Sequence, residues 1–169
     1  CCKQNHRWSV YGYFANQEGD TKLPICYLDN WEATDFFLKH KVPKKYLVPV
    51  NSDPNICSDI FERYGVKAKC MQIEDYLLSL PQSDKGFSVI WLDFMCTKLK
   101  SKEAIERALY FTENVEVTLA CRGASNDSVF GDAKRVIESS GGIIVDGPSK
   151  YKAASGKRNM ARMHVRRNP

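Results

Sequence analysis

The sequence lacks any long apolar run. No stretch reaches the roughly 18 uncharged residues of a membrane-spanning helix, and no amino-terminal segment has the pattern of a secretory signal peptide. Of the 169 residues, 43% are hydrophobic and 27% are charged, a balance typical of soluble globular domains. We therefore expect one domain with a single core and no membrane partner. Because the first residue is Cys1 rather than Met, we also expect a fragment or processed chain, with other domains in a longer protein.

Closely spaced cysteine motifs are absent as well. The chain has seven cysteines, an odd number, and no CxxC pair. The three histidines, His6, His40 and His164, share no ligand spacing with them, so we predict no metal site. Four cysteines lie within apolar or periodic segments: Cys26, Cys57, Cys70 and Cys121. Buried free thiols are typical of a reducing compartment, which predicts an intracellular protein, either cytoplasmic or nuclear.

Acidic residues are missing from the C-terminal end. The chain has a net charge of +5, of which +7 comes from residues 147–169 and −2 from residues 1–146. The basic residues of this segment are Lys150, Lys152, Lys157, Arg158, Arg162, Arg166 and Arg167. Such a segment can bind a nucleic acid or another polyanion. A solvated basic end explains the same residues equally well.

Short apolar segments alternate with segments of helical periodicity. Asn30, Asp53 and Gly65 are typical of helix ends. Residues 147–159 are interpreted as a mobile loop, and residues 1–21 as an extension that packs on the body as a strand or edge. The strand candidates are residues 23–28, 46–50, 66–70, 87–92, 115–121, 143–145 and 160–165. The helix candidates are residues 30–42, 53–65, 73–80, 101–111 and 128–140.

This order predicts a doubly wound α/β domain. Five strand–helix units require a parallel sheet with helices on both faces and right-handed crossovers. The last two strands have no helix between them, and a loop of about 14 residues suits an antiparallel return. We therefore expect a seven-stranded, mostly parallel sheet with an antiparallel last strand. Residues 1–169 form a single domain, with a core over residues 22–167.

The element order, together with polar residues at strand ends, resembles the class I S-adenosylmethionine-dependent methyltransferases over residues 22–167. Ligands of open α/β sheets bind at the carboxyl ends of the strands. After the first strand, the resemblance implies that Asp29 and Asn30 contact the cofactor S-adenosylmethionine. Trp31 and Ala33 stand where the family has glycines, and their bulk could fill the cofactor's space. An ordinary helix cap explains Asp29 and Asn30 as well.

The resemblance also implies roles for residues after the second and third strands. In the family, an acid at this position accepts hydrogen bonds from the ribose hydroxyls. Asn51 is the residue nearest to that position, and its side chain can still accept one hydrogen bond. Asp53 is a second candidate there, although an N-cap before Pro54 accounts for it more simply. The resemblance implies that Gln72 binds the adenine amino group and that the side chain of Ile73 packs on the adenine ring. Ile73 is equally explained as the first buried position of a helix.

The end of the fourth strand is the family's catalytic position. Asp93 is the predicted catalytic residue and a further cofactor contact, although an acid at a strand end can simply face water. Phe94 could pack on an aromatic base, whereas the two prolines of amino-methylating members are missing. Arg122, after the fifth strand, and Arg166, in the basic end, are the predicted substrate-binding cations. A surface position explains Arg122 equally well.

Three functional hypotheses follow. The first is an S-adenosylmethionine-dependent methyltransferase that acts on a nucleic acid, favoured by Asp29, Gln72 and Asp93. The second is a catalytically inactive methyltransferase-like domain, serving as a nucleic-acid or protein interaction module in a larger chain. The glycine-free first strand end and Asn51 in place of an acid favour the second. A third, a different doubly wound nucleotide-binding domain, would have a parallel last strand. The sequence does not indicate the oligomeric state.

Overall fold

The structure is a computed structural model, and it describes residues 2–17, 22–94, 102–121, 126–152 and 159–169. Six helices longer than one turn and six strands alternate along these residues. The helices are α1 (Cys2–Ala15), α2 (Glu32–Lys39), α3 (Pro54–Tyr64), α4 (Ile73–Ser79), α5 (Lys102–Phe111) and α6 (Asn126–Ser139). The strands are β1 (Ile25–Leu28), β2 (Leu47–Val50), β3 (Val89–Phe94), β4 (Val115–Cys121), β5 (Gly142–Lys152) and β6 (Asn159–Arg167). A short 3₁₀ turn, Lys44–Tyr46, precedes β2.

The strands form one sheet in the order β2-β1-β3-β4-β6-β5. The pairs among β2, β1, β3 and β4 are parallel. The last strand, β6, lies between β4 and β5 and runs antiparallel to both. The predicted mostly parallel sheet with an antiparallel last strand is therefore confirmed. The third hypothesis required a parallel last strand, and the pairing of β6 counts against it.

The sheet has six strands in the described residues rather than the predicted seven. Residues 66–70 pair with β2 through a single bridge, Val50 to Lys69. Lys69 N–H donates to Pro49 O at 2.9 Å, so the carbonyl of Pro49 faces this segment. The N–H that proline lacks would point to the same side of the strand, and one ladder hydrogen bond is lost there. Proline at this position therefore explains why the segment does not extend into a strand.

Helices cover both faces of the sheet, as predicted. Alternating strand residues separate the core into two clusters, because successive side chains of a strand point to opposite faces. Cys26, Ile90 and Leu92 pack with buried residues of α4, α5 and α6. Tyr27 and Trp91 pack on the other face with buried residues of α1, α2 and α3. None of the described helices is long and apolar enough to cross a membrane.

The N-terminal extension is a helix, and the predicted strand or edge was wrong. Its packing on the body is confirmed, since Val10 and Phe14 of α1 are buried in the second cluster. Part of the buried side of α1 is polar: His6 Nδ1 contacts Glu116 Oε1 of β4 at 2.9 Å. A polar residue on the inward face weakens the apolar periodicity, so a helix is hard to recognise here from the pattern of side chains.

The predicted loop at residues 147–159 was wrong in part. The described residues of this segment extend β5 to Lys152 and begin β6 at Asn159, and residues 153–158 lie outside the described part. Two register shifts interrupt the pairing, between Ile144 and Asp146 and between Asp146 and Ser149. Because β5 is an edge strand with an exposed polar stretch, it lacks the apolar alternation that identifies a half-buried strand.

Candidate functional site

A cavity of about 350 Å³ opens at the carboxyl ends of β1, β2 and β3. This volume lies within the range of small-molecule binding sites. Five of the seven predicted cofactor-binding residues line it: Asp29, Asn30, Asn51, Gln72 and Asp93. The other lining residues are Arg7, Leu28, Glu32, Ala33, Ser52, Met71 and Trp91.

Asp29 organises the first corner, which we define as residues 29–34. Its Oδ1 accepts a hydrogen bond from Ala33 N–H at 2.9 Å, and its Oδ2 accepts from Thr34 N–H at 3.0 Å and from Thr34 Oγ1 at 2.5 Å. Asp29 is 5% exposed, and burial raises its pKa while these hydrogen bonds lower it. The carboxylate thus holds the start of α2 in place, as the helix-cap alternative predicted. Asn30 contributes a weaker turn, accepting from Glu32 N–H at 3.3 Å.

Trp31 has a backbone conformation that favours glycine. Its φ is 101°, a region that is costly for a bulky side chain. The side chain does not line the cavity; it packs against the Arg63 guanidinium of α3 at 4.5 Å. Ala33 does line the cavity, but it is 4% exposed and small. The expectation that Trp31 fills the cofactor's space is therefore wrong. The lack of a glycine instead leaves the backbone of the first corner strained at Trp31.

The amide of Asn51 joins the ends of β1 and β2. Its Nδ2 donates to Asp29 O at 2.8 Å, and its Oδ1 accepts from Asp53 N–H at 2.8 Å. One lone pair of Oδ1 remains for a ligand. Asp53 does not line the cavity, because its carboxylate caps α3 by accepting from Asn55 N–H at 2.9 Å. The N-cap interpretation of Asp53 is the one that fits the structure.

Gln72 and Ile73 face different environments. Gln72 lies at the start of α4, is exposed and lines the cavity, and its side chain makes no capping hydrogen bond. Ile73 is 2% exposed within the core cluster beneath α4 and α5 and does not line the cavity. The first-buried-position interpretation of Ile73 is therefore the one that fits. The amide of Gln72 remains a candidate ligand contact.

Asp93 lies near the carboxyl end of β3, opposite Thr118 of β4, and it lines the cavity. Its neighbour Trp91, also a lining residue, donates from Nε1 to Thr118 Oγ1 at 3.0 Å. Phe94 ends β3, while Arg122 lies outside the described residues. The predicted substrate roles of these two residues stay predictions.

The cavity lies at the carboxyl ends of the parallel strands, and Arg166 lies at the opposite end of the sheet, near their amino ends. It pairs with Ile143 near the start of β5, whereas Arg162 is level with Thr118 and hence with Asp93. Four residues of strand separate Arg166 from Arg162, or about 13 Å. Arg166 therefore cannot contact a small acceptor at Asp93. The start of β6 and the end of β5 lie on the cavity side of the sheet.

The sequence analysis did not find Arg7 and Glu32. Arg7 reaches the cavity from α1, and its Nη2 donates to Glu32 Oε2 at 2.7 Å. Glu32 follows the predicted cofactor residues by only two positions, so its place beside them was a detectable signal. Arg7 was not detectable in this way, because its position depends on the packing of α1 across the sheet.

Three acidic residues and one basic residue are among the described residues that line the cavity: Asp29, Glu32, Asp93 and Arg7. This excess of carboxylates favours a ligand that carries positive charge. The described residues contain no group of three or more histidine, cysteine, aspartate or glutamate side chains that could hold a metal ion. The polar side chains that line the cavity include carboxylate, amide and guanidinium groups.

Comparison with solved structures shows the fold of class I S-adenosylmethionine-dependent methyltransferases. A protein of Pyrococcus horikoshii, provisionally described as an RNA methyltransferase, matches with a TM-score of 0.67 and 11% identity over 96% of this chain and 80% of its own. The N-methyltransferase NodS of Bradyrhizobium japonicum, solved with S-adenosyl-L-homocysteine, matches with a TM-score of 0.62 and 11% identity over 98% and 87%. The sheet and its helices are thus shared at very low sequence identity.

The fold is not confined to methyl transfer. The 4+2 cyclase SpnF matches with a TM-score of 0.67 and 11% identity over 96% of this chain and 80% of its own. No family model matches the sequence. No curated protein matches it either. The function must therefore be argued from the cavity rather than from the fold.

Proposed function

We propose that the protein is an S-adenosylmethionine-dependent methyltransferase whose methyl donor binds in the cavity at the first corner. The observation that carries this proposal is the convergence of Asp29, Asn51, Gln72 and Asp93, from four separate segments, on one cavity. The shared fold and the complex of NodS with S-adenosyl-L-homocysteine support the same ligand. The main argument for an inactive domain was that the bulk of Trp31 could fill the cofactor's space. Trp31 does not line the cavity, so this argument no longer holds.

The lining residues suit the parts of this ligand. The amide of Gln72 makes no capping hydrogen bond and lies at the end that the resemblance assigns to adenine, and Asn51 retains one acceptor for a ribose hydroxyl. The carboxylates of Glu32 and Asp93 favour the positive charge of the sulfonium. When bound, the sulfonium supplies a methyl group already activated for in-line displacement. The protein's main task is then to position the acceptor, and Asp93 is placed to orient it or to accept its proton.

Ligand binding tests this proposal directly. We expect calorimetry to detect both S-adenosylmethionine and S-adenosyl-L-homocysteine at micromolar concentrations, and Gln72→Ala to weaken both by about tenfold. Asp93→Asn should reduce methyl transfer more than donor binding. Asp59→Asn is the matched control, because Asp59 is an exposed acid of α3 that does not line the cavity. Absence of binding of either ligand at millimolar concentration would overturn the proposal.

We further propose a nucleic acid as the methyl acceptor, bound on the cavity side of the β5–β6 hairpin. Lys150 and Lys152 lie in the part of β5 whose partners in β6 are level with the end of β4. Arg162 and Arg167 are committed within the fold: Arg162 pairs with Glu116, and Arg167 donates to Leu109 O. The provisional description of the Pyrococcus protein as an RNA methyltransferase is consistent with this acceptor.

The acceptor class is testable by the salt dependence of binding to single-stranded RNA. Each phosphate contact contributes about −0.7 to the slope of log K against log salt concentration for single strands. Neutralising Lys150 and Lys152 to Ala should make the slope shallower by about 1.4. Arg166→Ala is the control, because it removes one positive charge at the end of the sheet that lies away from the cavity. This variant should change the slope by less than half as much. A change of half as much or more in Arg166→Ala, which removes one charge rather than two, would reject the hairpin as the binding surface.

A further inference from the structure

Arg7 is the one basic residue among the described residues that line the cavity. It belongs to α1, and the neighbouring residue His6 is fully buried against Glu116. Val10, one turn later, is also fully buried. The guanidinium is therefore presented to the cavity by a helix that is anchored on both sides of Arg7. Among the described lining residues, Arg7 is thus the one that offers a positive charge to an anionic group of a ligand.

The guanidinium of Arg7 is only partly satisfied within the protein. Its Nη2 donates to Glu32 Oε2 at 2.7 Å. Its Nε is buried, and no described residue accepts a hydrogen bond from it. The side chain of Arg7 is 16% exposed, whereas that of Glu32 is 42% exposed. The guanidinium carries more N–H donors than the one given to Glu32, and because Arg7 lines the cavity, a ligand there can accept from them.

We propose that Arg7 binds the carboxylate of the methyl donor's amino-acid part, in competition with its internal partner Glu32. This inference rests on the proposed function and names the group that fixes the amino-acid end. The geometry of guanidinium suits a carboxylate, since two parallel N–H groups can bind its two oxygens. Glu32 is the more exposed partner, so it can yield one guanidinium donor to a ligand without becoming buried and unpaired.

Arg7 then determines specificity between ligands that share the adenosine part. S-Adenosylmethionine carries an α-carboxylate, whereas its decarboxylated form keeps the adenosine, the sulfonium and the amine. Both ligands present the same groups to Gln72, Asn51 and Asp93. The excess of carboxylates in the cavity favours the decarboxylated form, whose net charge is more positive. A preference for the intact ligand therefore requires a partner for its carboxylate. An arginine whose carboxylate is missing is left with an unfilled donor in a partly dry site, which costs affinity.

The test is the ratio of dissociation constants for decarboxylated and intact S-adenosylmethionine, measured by calorimetry on the whole chain. We expect the unmodified protein to prefer the intact ligand by about tenfold or more. Arg7→Gln should bring the ratio to one or below, mainly by weakening the intact ligand. Arg7→Lys should retain part of the preference, because a lysine keeps the charge but not the fork. A ratio cancels changes in folding or in adenosine binding that affect both ligands.

Two further variants separate this role from general electrostatics. Glu32→Gln should keep or increase the preference for the intact ligand, since the competing internal carboxylate is lost. Arg63→Gln is the matched arginine control, because Arg63 packs on Trp31 outside the cavity, and it should leave the ratio unchanged. An unchanged ratio in Arg7→Gln, with donor binding intact, would overturn this inference and leave the proposed function standing. Failure of the unmodified protein to bind either ligand would overturn both.

Discussion

Asp29 and Glu116 are two buried carboxylates on the same sheet, stabilised by different kinds of partner. Asp29, at the end of β1, accepts hydrogen bonds from backbone N–H groups and from the Thr34 hydroxyl. Glu116, in β4, is fully buried and contacts two potential cations, His6 and Arg162. Asp29 therefore acts within a single corner, whereas Glu116 joins three distant segments of the chain.

The difference separates the part of the molecule that forms the cavity from the part that holds it together. The partners of Asp29 are four and five residues away, while those of Glu116 are 110 and 46 residues away. Through Glu116, the α1 helix is fixed on the sheet, and Arg7 is carried to the cavity. The corner at Asp29 could form locally, but the second wall of the cavity depends on this long-range ionic cluster.

The largest effect is expected when the ionic cluster is broken. Glu116→Ala leaves His6 and Arg162 largely buried without their carboxylate, and removal of one partner of a buried ion pair typically costs about 3–5 kcal/mol. We expect a loss of this size in the free energy of unfolding, measured with urea. Glu138→Ala removes an exposed acid that pairs with Lys134 on α6 and should change it by less than about 0.5 kcal/mol. Similar losses in the two variants would contradict the distinction between buried and surface pairs.

A smaller loss is expected when the first corner loses its carboxylate. Asp29→Ala removes three hydrogen bonds to the start of α2, so we expect a cost near the top of the range for helix caps, about 2 kcal/mol. Asp53→Ala removes the single cap bond of exposed Asp53 and should cost about 1 kcal/mol. Urea unfolding of both variants provides the comparison. A larger effect for Asp53 would show that the corner is not organised by Asp29.

The fold was predictable where elements are local and strongly periodic. Among the described residues, five of the six α-helices and the six strands of the sheet follow from apolar segments, caps and breakers. The α1 helix was missed because its inward face carries His6, whose partner Glu116 is far away in sequence. The residues before α4 were overpredicted as a strand, because Pro49 in the neighbouring strand removes a ladder hydrogen bond there. Long-range polar contacts are the information that a local pattern does not contain.

The candidate site was predictable to the extent that parallel strands end at one edge of the sheet. This rule brings Asp29, Asn51 and Asp93 together. It does not say which side chains are already committed, and Asp53 and Ile73 were placed in the site although one caps a helix and the other is in the core. Nor could it find Arg7, which comes from a helix outside the strand–helix alternation.

A third effect concerns the strained backbone of the first corner. Trp31 has a φ of 101°, so a residue with a Cβ is strained there and glycine is not. We expect Trp31→Gly to be more stable than Trp31→Ala by about 1–2 kcal/mol, since both lose the packing on Arg63 but only alanine keeps the strain. This order is the reverse of the one in a helix interior, where glycine costs about 1 kcal/mol relative to alanine. Urea unfolding of the two variants decides it, and an alanine variant equal to or more stable than glycine would contradict the strain.

The smallest effect comes from the polar contacts of β6 with α1. The hydrogen-bond partners of His164 define its neutral form. Asn114 Nδ2 donates to Ser88 O at 3.2 Å, so Asn114 Oδ1 is left to accept from His164 Nε2 at 3.2 Å. His164 Nδ1 then accepts from Tyr13 Oη at 2.7 Å. Burial lowers the pKa of His164 below its ordinary value of 6.5, aided by Arg166 and Arg162 and opposed by Glu116.

Because its pKa is lower in the folded protein, His164 binds a proton more readily in the unfolded chain. Its stabilising contribution is therefore present above about pH 6.5 and is lost as the pH falls below it. We expect a loss of less than about 1 kcal/mol between about pH 7.5 and 5.5, since surrounding water screens part of the effect. In Tyr13→Phe the imidazole no longer has a donor at Nδ1, so protonation of His164 costs less. The free energies of unfolding of the two proteins should thus converge as the pH falls, whereas a constant difference would show that the contact of α1 with His164 does not depend on its neutral form.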